Sequence, residues 1–156
     1  MIRQAERIAD FEQILEDERF NSVVIGPAAG VGRETQERVA ECLSGKRGVV
    51  LDADALMSFE GKPEDLFGYI AEAGSAGHVV LTPHEGEFRR LFPDLLGPAS
   101  TDCKVERTRK AAERAGAVVV LKVQIPSLRT RRGERRSIRA VRHGLPLPDL
   151  VMCLPV

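Results

Sequence analysis

The chain has 156 residues, enough for one domain with its own core and too few for two. Apolar residues make up 43% and charged residues 29%, the composition of an ordinary soluble globular protein rather than a disordered or membrane-embedded one. Basic and acidic residues balance at 23 each, yet the balance is not local: the stretch after Lys122 holds seven arginines, no lysine and only Glu134 and Asp149, a net of +5, which leaves −5 for everything before it.

The segment "ADFEQILEDERF" (residues 9–20) predicts a helix ahead of the first clear strand. "SVVIG" (22–26) is a β-branched apolar run closed by glycine and predicts a buried strand. "ETQERVAECL" (34–43) predicts a helix with Val39, Ala40 and Leu43 on one face, and residues 48–52 a second buried strand. "PEDLFGYIAEA" (63–73) predicts a helix opened by Pro63 in its first turn. Residues 78–82 predict a third strand, and "EGEFRRLF" (85–92) a short helix with Phe88, Leu91 and Phe92 on its apolar stripe. A polar helix over 104–116, stopped by Gly116, precedes a fourth strand over 117–122. Continuous apolar strands alternating with helices predict an α/β fold: a parallel sheet with helices on both faces, incomplete at both ends.

Three cysteines, Cys42, Cys103 and Cys153, share no metal-ligand or redox spacing, and their odd number argues for a reducing, cytoplasmic setting. No apolar run reaches membrane-spanning length, and the start carries no signal-peptide core. The arginine-rich stretch lacks lysine and interleaved aromatics, so neither nucleic acid nor membrane is an expected partner.

In open parallel sheets, ligands bind beyond the carboxyl ends of the strands. The unusual residues fall there. "GPAAGVG" (26–32) follows the first strand; its small residues admit a ligand close to the backbone, and open N–H groups would suit an anion, although the spacing also fits a tight turn. Asp52 and Asp54 follow the second strand and fit either a paired-carboxylate site for a cation or hydroxyl, or a helix cap and turn. Thr82 and Glu85 have capping-box spacing, which sets His84 at a helix mouth as a neutral hydrogen-bonding group. His78 and His143 have no such address.

The ordered set "VVIGPAAGVG", "VVLDADAL", "VVLTPHEGEFRRL" and "AVVVLK" resembles the ADP/ATP-dependent NAD(P)H-hydrate dehydratases, within the ribokinase-like superfamily. The resemblance covers residues 1–122 and implies a lyase that repairs hydrated NADH or NADPH: ATP or ADP, with Mg2+, phosphorylates the ring hydroxyl, and phosphate elimination restores the nicotinamide. It implies a substrate site at Gly26, Ala28, Gly30, Asp54 and His84, nucleotide contact by Lys122, and a homo-oligomer as one option. Ala28 stands where the family usually has glycine, and Met57 where "DADALN" has asparagine. The family's Gly-Ser-Gly-Asp or Gly-Thr-Gly-Asp loop, which supplies the anion hole and the proposed base, is not written in this chain, so no residue here takes the catalytic role.

Where the family continues "LKG…TVIA", this chain reads "LKVQIPSL". Codons for "KVQIPSLR", read from the third base, permit Gly-Pro-Asp-Thr-Val-Ile-Ala, and the same frame over "PDLVMCLPV" permits Gly-Ser-Gly-Asp-Val-Leu-Ala-Gly. Residues 123–156 are therefore expected to be an out-of-frame tail, and the chain an inactive fragment lacking upstream family elements. The alternatives are a ribokinase-like small-molecule kinase, or a non-catalytic fragment that binds nucleotide or a partner chain.

Overall fold

The computed structural model describes residue 5 and residues 7–17, 19–45, 47–74, 78–96 and 103–122. The out-of-frame reading of 123–156 lies outside the described residues. Strands β1 (Ser22–Ile25), β2 (Gly48–Leu51), β3 (Val79–Leu81) and β4 (Val118–Val119) form one sheet in the order β1-β2-β3-β4, with every pair parallel. Ile25, Leu51, Leu81 and Val119 make one register row across it, and Val24, Val50, Val80 and Val118 make the next. Adjacent rows face opposite ways because strand side chains alternate. The first row is buried in the core; in the second, Val24 is 70% exposed and the other three are half-buried.

The core face is covered by helices whose apolar spacing suits that task. In α2 (Arg33–Ser44), Thr35, Val39, Cys42 and Leu43 turn inward along one stripe. In α4 (Pro63–Glu72), Pro63 sits in the first turn, where its missing N–H costs nothing, and Leu66, Phe67 and Ile70 are buried. In α6 (Lys104–Ala115), Thr108, Ala111 and Ala115 are the buried residues, and Gly116 ends the helix in the left-handed conformation at φ +63°. α1 (Ile8–Leu15) packs on α2, α2 on α4, and α4 on α6. Helices were expected on both faces; these form a single layer. Strands added in one direction by right-handed crossovers put every connecting helix on the same side.

Two short helices close the carboxyl edge, α3 (Ala53–Met57) and α5 (Glu85–Leu91), and a 3-10 turn follows at Pro93–Leu96. Phe92 knits them to the layer: its ring stacks on Phe67 at 5.4 Å between centroids and meets Phe88 at 5.0 Å. Burying each such ring contributes about 1.5–3 kcal/mol. The Arg114 guanidinium covers the outer side of Phe67, 5.8 Å from its centroid, so α6 is tied into the same cluster.

The parallel α/β architecture is the one expected from the sequence. The strands are shorter than the apolar runs, because pairing stops where the loops turn away. α3 begins at Ala53, inside the stretch "DADAL", so of the two arrangements open to these aspartates Asp52 takes the helix cap and Asp54 the first turn.

Candidate active site at the carboxyl edge

The loop after β1 begins with Gly26 at φ +144°, pressed against the end of β2. A Cβ there would lie 1.7 Å from the Asp52 carbonyl oxygen, so only glycine fits. Ala28 adopts φ +58° and Ala53 φ +43°, left-handed conformations that an alanine adopts at a cost. The Gly30 N–H donates to Asp54 Oδ2 at 3.0 Å, and the Gly32 N–H to Ser58 Oγ at 3.1 Å. The buried Thr35 hydroxyl lies within reach of two carbonyls, Gly30 O at 2.6 Å and Ala29 O at 3.1 Å, and the Gln36 amide donates to Ser58 O. The loop is thus clamped between α2 and α3. Its Gly30 and Gly32 amides, expected to be open to an anion, are spent on the protein's own side chains.

Asp52 caps α3, its Oδ1 accepting from the Ala53 N–H at 2.9 Å. The same oxygen lies 2.5 Å from Lys122 Nζ. Burial pushes the Asp52 carboxyl up. The hydrogen bond and charge of Lys122, with help from Ala53 and Thr82, outweigh that and hold it below its ordinary value. Thr82 does not cap α5. Its hydroxyl donates to Leu51 O at 3.2 Å, and the cap is His84.

His84 Nδ1 accepts the Gly86 and Glu87 N–H groups at 2.9 and 3.2 Å, while Glu87 Oε2 accepts the His84 N–H at 2.8 Å. With Nδ1 accepting, the ring proton belongs on Nε2, which faces Glu87 Oε1 at 3.2 Å. The capping box is therefore His84–Glu87, two residues later than the Thr82–Glu85 spacing suggests. The His84 ring stays exposed, anchored through one edge only. Lys122 is fixed beside it by a parallel bridge, the Lys122 N–H donating to Pro83 O at 2.9 Å.

A continuous path of contacts thus runs from Gly30 through Asp54 and α3 to Asp52, Lys122 and His84. All six site residues expected from the sequence, Gly26, Ala28, Gly30, Asp54, His84 and Lys122, lie along this edge. Sequence reasoning missed the supporting residues Thr35, Ser58 and Glu87, and left Asp52 undecided. Met57, in the position of the family's asparagine, faces Arg90, whose Nη1 is 3.5 Å from the Met57 sulfur.

An all-parallel sheet with its loops gathered beyond the strand carboxyl ends defines an α/β protein, an architecture consistent with the ribokinase-like fold. A sequence model described as NAD(P)H-hydrate dehydratase matches residues 2–137, and the chain belongs to that family. The chain is similar to the bifunctional NAD(P)H-hydrate repair enzyme Nnr of Pyrobaculum aerophilum, 41% identical over 108 residues, which is 67% of this chain and 19% of that protein. It is also similar to the enzyme of the same name from Thermosynechococcus vestitus, 34% identical over 127 residues, 81% of this chain and 23% of the relative. An ATP-dependent (S)-NAD(P)H-hydrate dehydratase of Ajellomyces capsulatus is 32% identical over 112 residues, covering 66% of this chain and 28% of that protein. The chain spans less than a third of the length of these relatives. Among the described residues no helix is long and apolar enough to cross a membrane.

Proposed function

We propose that the carboxyl edge binds hydrated NADH or NADPH and a nucleotide, ATP or ADP, for repair by phosphorylation and elimination. The loop from Gly26 to Gly30, with Ala28 at its crest, Asp54 and the exposed ring of His84 receive the hydrate. The Lys122 ammonium receives the nucleotide phosphates. Magnesium bound with the nucleotide would neutralise phosphate charge; Asp52 Oδ1 and Asp54 Oδ2 are already engaged by Lys122 and Gly30. The observation that carries this reading is the gathering of His84, Lys122 and the 26–30 loop on one sheet edge, in a chain of this family.

In this reading residues 1–122 are a partial NAD(P)H-hydrate dehydratase domain and residues 123–156 an out-of-frame appendage. The protein is cytoplasmic, without nucleic-acid or membrane partners, and homo-oligomeric assembly fits it. The sequence holds no Gly-Ser-Gly-Asp or Gly-Thr-Gly-Asp stretch, so binding without turnover is the expected behaviour of the 156-residue chain. The test is calorimetric titration with NADH hydrate and with ATP, beside an assay for ATP- or ADP-dependent return of NADH absorbance. Binding that His84→Ala or Lys122→Ala weakens supports the site. Binding of neither ligand overturns it, and sustained turnover overturns the assignment of the tail.

A further inference from the structure

Lys122 follows β4, while its ammonium reaches past β3 to the end of β2, where Asp52 Oδ1 holds it at 2.5 Å. The two side chains are 25% and 26% exposed, which leaves the pair open to a small anion on its solvent side. The carboxylate is independently fixed as the cap of α3, and the lysine backbone is fixed by Pro83. The carboxylate is thus held without the lysine, and the lysine backbone without the carboxylate.

We propose that Asp52 is the resident counter-ion of Lys122 and competes with phosphate for its ammonium. The proposal rests on the reading of Lys122 as the nucleotide-side lysine. An ammonium is a compact charge with three donors, and a second anion brought to it meets the repulsion of the first. A polyphosphate arriving at Lys122 must displace the carboxylate or bear that repulsion. Asp52 therefore weakens phosphate binding at this edge and keeps Lys122 satisfied when no nucleotide is bound. Asp54, two residues on, plays no part in this exchange, since its Oδ2 holds Gly30.

Asp52→Asn separates the two duties of the residue, because asparagine caps a helix about as well as aspartate but carries no charge. Asp52→Ser, also a good cap, serves as a second variant should the first fold poorly. The probe is inorganic tripolyphosphate, titrated calorimetrically into the full chain at low salt, with circular dichroism as the check on folding. Both variants should bind it about fivefold tighter than the parent, the upper end of what a partly exposed ion pair is worth. Adding Lys122→Met should erase the gain. Unchanged, weaker or undetectable binding in the variants, or a gain that survives Lys122→Met, overturns the proposal. Parallel titrations with ATP separate it from the functional reading. Tighter tripolyphosphate binding without ATP binding leaves the counter-ion standing and removes the nucleotide; equal ATP binding in parent and variants does the reverse.

Discussion

Ala28→Gly should stabilise the protein, against the usual sign of an alanine-to-glycine change. Ala28 sits at φ +58°, where an L-residue with a Cβ loses about 1–2 kcal/mol relative to the right-handed region. Glycine removes that strain but adds freedom to the unfolded chain, a loss of about 0.4–1 kcal/mol. The Ala28 methyl is exposed, so little packing is forfeited. The difference is a net gain of about 0.5–1 kcal/mol, which in a chain of this size raises Tm by about 2–4 °C per kcal/mol. Urea unfolding followed by circular dichroism reads it as a higher midpoint at unchanged slope. Ala29→Gly is the control, because Ala29 has no positive φ and should lose stability by the ordinary amount. If Ala28→Gly lowers the midpoint, or moves it as Ala29→Gly does, the strain argument is wrong.

Gly26→Ala should cost about 3 kcal/mol or more, since its Cβ has no room 1.7 Å from the Asp52 carbonyl and the backbone is strained besides; a near-neutral urea midpoint would refute this. Asp54→Ala removes the acceptor of the Gly30 N–H and should cost about 0.5–1.5 kcal/mol, with faster hydrogen exchange at Gly30 as its local mark. Burial pushes the Cys42 thiol up to about 11, so a thiol reagent should modify exposed Cys103 in the native protein and reach Cys42 only after unfolding, as read by peptide mass spectrometry. Asp52 has a folded pKa below its unfolded one, so its contribution is fully present above the ordinary carboxylate range and lost as the pH falls through the folded value. Asp52→Asn should accordingly flatten the acid limb of the stability profile, and an unchanged limb would count against the Lys122 pair.

The strands were legible because a parallel strand covered by helices reads as an unbroken apolar run, as "SVVI" and "GVVL" do. The open second face left no mark, since Val24, Val50, Val80 and Val118 are as apolar as their buried neighbours. α3 was hidden by its five residues, too few for a helical period to show, and its first residue keeps a positive φ that no composition signals. The α5 cap was misplaced because Thr82 and Glu85 match the usual capping pattern, while a histidine that accepts through Nδ1 is an uncommon cap. The Asp52–Lys122 pair lies beyond local reasoning altogether, for its partners are 70 residues apart. Positions of the candidate residues followed from strand ends; their partners had to come from the packing.

The order of the strands in space is their order in the chain, and this bears on how the molecule is made. Among the described strands, none must be slipped between two that are already paired. Each strand and its crossover helix can dock on the edge left by the unit before it, so the sheet is able to grow as the polypeptide leaves the ribosome. Domains are synthesised at about 5–20 residues per second, slow beside the docking of a hairpin-sized unit. Such accretion shortens the time for which any apolar strand edge waits uncovered, and with it the opportunity for two nascent chains to join through the same edge.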